Sequence, residues 1–153
     1  MSDGLIVDIR AETFLASLRG AADRLAANLF RAVTRLSIEI QTAIKRKLAG
    51  EVLHTRTGTL RRSINRLVTQ DSHGVVATEG TNVRYAAVHE YGFNGQVTVG
   101  SHVRKLASGG TANVRQHART MVMPERSFLR STLAEFRPRI QSELRAAALE
   151  ALR

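Results

Sequence analysis

Five histidines and thirteen carboxylates are the side chains of this 153-residue chain that could bind metal or move protons. His54, His73, His89, His102 and His117 are scattered without the close spacing of a ligand set. His89-Glu90 begins like the helix of a zinc protease, but position 93, where a second histidine is needed, is phenylalanine. These histidines therefore read as solvated or hydrogen-bonded, with no metal. The glycines at 50 and 58 enclose no phosphate loop, because no Gly-Lys-Ser/Thr follows. No Gly-x-Ser-x-Gly elbow is present, and without cysteine a thiol nucleophile is impossible. Glu79 and Glu90 could pair as general acid and base, although a strand-end carboxylate facing arginine is the commoner arrangement. The expectation is a structural protein rather than an enzyme, with no catalytic residue and no cofactor.

Glu90 poses a physical problem of its own. It stands in the apolar run 85–91, read here as a strand that is mostly buried and ends at Gly92. A buried carboxylate needs a cationic or backbone partner, and Arg61, Arg62, Arg84 and Arg126 are candidates. The alternative is that Glu90 points to water, and both readings stay open.

Charge narrows the partners. The formal net charge is +10, and almost all the positive charge is arginine, the lysines being Lys45, Lys47 and Lys105. Arginine suits bidentate contacts to carboxylate or phosphate, so an acidic partner is implied, either nucleic acid or acidic faces of neighbouring subunits. The absence of cysteine fits a reducing cytosol without requiring it. No signal-peptide core and no membrane-length apolar run is seen, so a soluble chain away from membranes is expected.

The elements that must position these residues follow from periodicity. Residues 5–9 alternate weakly as a strand. Leu15, Leu18, Ala22, Leu25, Leu29, Val33, Leu36, Ile40, Ile44 and Leu48 form one stripe and predict a helix over 11–49. Such a helix would be about 58 Å long, so a bend or break is expected near Gly20, with Gly50 as its stop. Residues 60–69 read as a helical turn that becomes a strand. The polar turn 71–74 joins it to Val75, Val76 and Ala77 as a hairpin. Residues 80–82 form a turn. A basic, strand-rich excursion over 96–123 has a glycine-rich tip at 107–112. Pro124 opens the last helix, predicted over 126–151, which should kink or restart at Pro138.

Three segments together carry a family resemblance. Residues 55–64, with Thr57, Gly58, Leu60, Arg61, Ser63 and Ile64, resemble the "R-T-G-x-L-R-x-S-I" segment of small tail components of double-stranded DNA bacteriophages. Residues 80–92, with Tyr85, Glu90 and Gly92, resemble their "G-T-x-x-x-Y-A-x-x-x-E-F-G" strand, and residues 124–130, with Pro124, Arg126, Phe128 and Leu129, resemble "P-A-R-P-F-L-R-P". The family is that of tail-completion, or neck, proteins of long-tailed phages, close to Mu-type virion morphogenesis proteins. Ser127 and Tyr91 depart from its pattern, and the insert at 92–123 is longer than the short link expected.

The resemblance implies one α+β domain over 1–153. A long N-terminal helix and a C-terminal helix would pack on a small antiparallel sheet with a protruding hairpin. It also implies assembly as a homo-hexameric ring where the tail tube meets the head connector, in the virion after assembly in the host cytoplasm. The implied partners are the head–tail connector and the tail tube or terminator proteins, with sequence-independent proximity to genomic DNA. Arg104, Lys105, Arg115 and Arg119 are the candidate assembly or DNA-channel contacts. A tail terminator capping the tube is the alternative. A free basic DNA-binding regulator is a second, disfavoured by the lack of helix-turn-helix spacing and by few aromatic residues.

Overall fold

The long apolar stripe at three- and four-residue steps becomes one continuous helix. The structure, a computed structural model, describes residues 11–54 and 56–152, and for 11–15 the backbone alone. The strand expected at 5–9 lies outside the described residues. Helix α1 (Ala11–Arg46) runs for 36 residues and is unbroken at Gly20, where the expected interruption does not occur. One glycine costs about 1 kcal/mol of helix propensity, too little to break a helix held along much of its length by packing. The chain then widens into a π-helical turn (Lys47–Glu51), in which Gly50 takes a φ of 151° and ends the run where the sequence expects it.

Ser63 terminates a short helix α2 (Thr59–Arg62), and strands β1 (Asn65–Asp71) and β2 (Gly74–Gly80) follow as an antiparallel hairpin. The Asp71 carboxylate closes its turn by accepting from the His73 and Gly74 amides at 2.8 and 3.1 Å. The helical-turn-to-strand reading and the hairpin are thus both present.

The stretch read as a buried strand is instead helix α3 (Ala86–Tyr91). Its buried residues are Ala86 and Glu90, four apart and so on one helical face, while Tyr85 and Tyr91 are exposed. Strands β3 (Phe93–Val99), β4 (His102–Lys105), β5 (Thr111–Val114) and β6 (His117–Met123) then build one long hairpin arm. Two successive ladders form it, β3 with β6 at the root and β4 with β5 toward the tip. Gly109, at φ 87°, turns the tip, where the Leu106 amide donates to the Gly110 carbonyl at 2.8 Å.

Helix α4 (Leu129–Ala151) closes the described chain. It begins later than Pro124 suggests and passes Pro138 without a restart. Pro138 and Ala134 both face solvent, so water can serve the carbonyl that proline leaves without a donor.

The architecture is α+β: two long helices with small antiparallel ladders, about half helix and a quarter strand. It differs from two helices on one sheet. Among the described residues three separate two-stranded ladders occur, and α4 lies mainly on α1, which in turn covers the β1–β2 hairpin. Helices α1 and α4 run antiparallel, joined by Arg35 to Glu143 and Arg139 to Glu39 at 2.8 Å, and Lys47 of the π-helical turn reaches Glu135 at 2.7 Å. Near the far end Asn28 donates to the Ala147 carbonyl and Arg24 to the Ala151 carbonyl. The cover supplied by α4 therefore stops near residue 24. This explains why Leu18 and Ala22 are exposed although they share the stripe with buried Leu36, Ile44 and Leu48.

Candidate functional site: the Glu90 junction and the basic arm

The three sequence segments singled out above converge on one place. Ile44 of α1 and Leu48 of the π-helical turn meet Leu60 and Ile64 of the first segment, Ala86 of the second and Phe128 of the third in a single core cluster. Gly58, at φ 73°, makes the left-handed turn that starts α2 and lets Leu60 and Ile64 reach inward. Ser63 and Thr81 share a hydroxyl–hydroxyl hydrogen bond of 2.6 Å, tying the first segment to the second. Phe128 is fully buried, and Leu129 packs against the same cluster.

Glu90 ties the second segment to the third. Its carboxylate is buried, with only 2% of the residue exposed, and it caps the N-terminus of α4 from outside that helix. It accepts from the amides of Phe128, Leu129 and Arg130 at 2.8, 2.9 and 2.8 Å, from the Ser127 hydroxyl at 2.7 Å and from Arg130 Nε at 3.3 Å. The first amides of a helix have no partner within it, and the helix dipole favours an anion there. Phe128, at the cap position, has no acceptor of its own, so the carboxylate must come from elsewhere in the chain. Burial pushes the Glu90 carboxyl up, but the Leu129 and Arg130 amides, the Ser127 hydroxyl and the Phe128 amide outweigh it. Together they hold the group below the usual carboxylate range.

None of Arg61, Arg62, Arg84 or Arg126 is the partner, and the solvent-facing alternative is also overturned. Arg126 contributes only its backbone amide, to the His89 carbonyl at 2.8 Å. The residue that the sequence reading left out is Arg130. It contacts the Glu90 carboxylate and carbonyl and Glu125, and it lies 4.6 Å from the centre of the Tyr91 ring. Ser127, a departure from the family pattern, is a working member of the cap, since it also accepts from the Ser131 amide at 3.1 Å. Gly92 has its own reason: at φ 74°, an added Cβ would stand 3.0 Å from the Met123 carbonyl and the Glu125 amide. The returning arm crosses there, while Pro124 is exposed beside it.

Glu79 does not join Glu90. It faces a groove of about 380 Å³ between α1, β2 and α4, walled by Leu36, Ile40, Ala77, Leu133 and Ile140. Both carboxylate oxygens are buried without a hydrogen bond among the described residues, although Arg66 is the cross-strand neighbour. Burial pushes this carboxyl up to about 7, with Arg66 and Lys45 only partly offsetting it. His54 and His89 line one small hollow with Tyr85, but no cluster of three metal-ligating side chains occurs among the described residues.

The arm is a separate region. Arg104, Lys105, Arg115 and Arg119 are all exposed along it. Residues 91–124 contain no aspartate or glutamate. Its extensive contacts are internal, strand with strand.

Residues 22–151 match the profile of the phage virion morphogenesis family. The chain belongs to that family. Neither a curated protein nor a solved structure gives a significant match. Family membership makes this a phage protein with a structural or assembly role in the virion. The Glu90 junction is then the internal fastening of a building block, and no helix of the described residues is long and apolar enough to cross a membrane.

Proposed function

We propose that this chain is a structural subunit of the phage neck or tail, assembling as a ring at the head–tail junction and completing the tail. The observation that carries the reading is the arm. It stands off a core that closes without it, and it carries positive charge with no acidic residue. Val103 and Leu106, near its tip, are exposed. Such an arm is unfavourable in isolation, because like charges repel and apolar groups meet water. Both costs fall when it lies on an acidic and partly apolar neighbour. A closed ring needs two different surfaces per subunit, and arm and body supply them. The apolar residues favour a protein neighbour over DNA as the arm's partner.

The test is deletion of residues 104–119 in the phage, combined with immunogold labelling of particles. The expected result is folded protein, separate heads and tails that fail to join, and, in wild-type virions, label at the neck. Normal infectivity of the deletion phage removes the arm from assembly. Label at the free end of headless tails, absent from the neck, assigns a tail terminator instead.

A further inference from the structure

A second basic region lies on the body, apart from the arm. Lys45 near the end of α1, Arg56 and Thr57 in the loop, Gly58 at the turn, and Arg61 and Arg62 on α2 surround an open concavity of about 550 Å³. The left-handed turn at Gly58 folds the loop beside α2 and so gathers these side chains. Several body cations are already engaged: Arg35, Arg46, Lys47, Arg130 and Arg139 are each in an ion pair. The four around this concavity form none among the described residues, and the three arginines are exposed. Lys45 also feels the Glu79 carboxylate, but Arg56, Arg61 and Arg62 are grouped with no carboxylate in ion-pair range among the described residues, which is unfavourable unless an anion joins them.

The wall also shows which anion fits. Among the described residues it is made of guanidinium, ammonium, hydroxyl and glycine groups, with no apolar side chain to anchor a protein partner. Guanidinium forks and threonine hydroxyls are the usual donors to phosphate oxygens. Among the described residues no asparagine or glutamine for reading base edges and no aromatic ring for stacking lines the concavity. We propose that this concavity binds the phosphodiester backbone of nucleic acid without regard to sequence. The proposal is independent of the ring reading, since one subunit holds the whole site.

The test measures fluorescence anisotropy of full-length protein with a random-sequence DNA duplex over a range of salt. Arg56→Gln, Arg61→Gln and Arg62→Gln are combined in one variant. Its control is the equally charged combination of Arg19→Gln, Arg137→Gln and Arg145→Gln, all exposed and far along the chain from the concavity. The site variant should bind roughly tenfold or more weakly. Its slope of log affinity against log salt should fall by about 2 to 3, since each phosphate contact contributes about 0.9. The control should keep most of its slope. Lysine at 56, 61 and 62 should restore the slope while binding less tightly than wild type. Equal losses in the site and control variants would show diffuse attraction to net charge and overturn the proposal. So would a lysine variant as weak as the glutamine one, which would indicate a damaged turn, or a loss seen only against polyglutamate, which would indicate an acidic protein partner.

Discussion

At the residue scale, Glu90 has the most to lose. Its side chain replaces water for three helix amides, a hydroxyl and a guanidinium in a place that water does not reach. Buried donors left without an acceptor cost about 1–3 kcal/mol each, less where the structure relaxes. Glu90→Ala should therefore destabilise the subunit by about 3 kcal/mol or more in urea unfolding. Glu90→Gln should fall between alanine and wild type, because it keeps one acceptor and loses the charge that the helix dipole favours. If alanine costs less than 1 kcal/mol, the cap is not what holds α4 in place. The sequence leaves open whether Glu90 has a partner or points to water, because the short run around it fits the period of a strand. Ala86 and Glu90 are four apart, a helical spacing that six residues are too few to establish. The other available signal was Phe128 at a cap position where a side-chain acceptor is usual.

At the scale of elements, length decided what was legible. Helices α1 and α4 are long enough for their period to show, and the 71–74 turn announced its hairpin by composition. At Gly20 the loss of helix propensity is too small to interrupt α1, and at Pro138 solvent can serve the carbonyl left without a donor. The three separate ladders were not legible, because alternation predicts a strand and not which strand it pairs with. Phe128 is where the elements depend on one another, since it is fully buried against residues of α1, α2 and α3 or their flanks. Phe128→Ala should cost roughly 3–5 kcal/mol, measured by denaturant titration. A value under 1 kcal/mol would mean that the cluster is not the core of the folded subunit. The arm gives the opposite expectation: removing 104–119 should leave the melting temperature of the body within a few degrees, because the arm's extensive contacts are internal. A large drop would show that the arm contributes to the body's stability.

For the whole molecule, two buried carboxylates oppose each other in their effect on stability against pH. Glu90 is held below the usual range, so its contribution is present above the unfolded carboxylate value and is lost as pH falls through its lower folded value. Glu79 is raised from 4.5 to about 7. Its folded form binds a proton more tightly than its unfolded form, so it favours folding fully below about pH 4.5, and that benefit disappears as pH rises through 7. Between these limits a fall in pH should stabilise the subunit through Glu79, and further acidification should destabilise it through Glu90. The two effects place the stability maximum on the acid side of neutrality. Glu79→Gln separates them, because it leaves the Glu90 cap intact and removes the group that titrates near 7. The variant should be more stable than wild type at pH 8, where the native carboxylate is ionised beside the apolar groove, and its stability should be nearly flat from pH 7 to 5. Acid unfolding below pH 4 should be unchanged. Urea unfolding of both proteins at pH 8, 7, 6, 5 and 3.5 measures this, and a wild-type slope between pH 7 and 5 that survives in Glu79→Gln would assign the titration to another group.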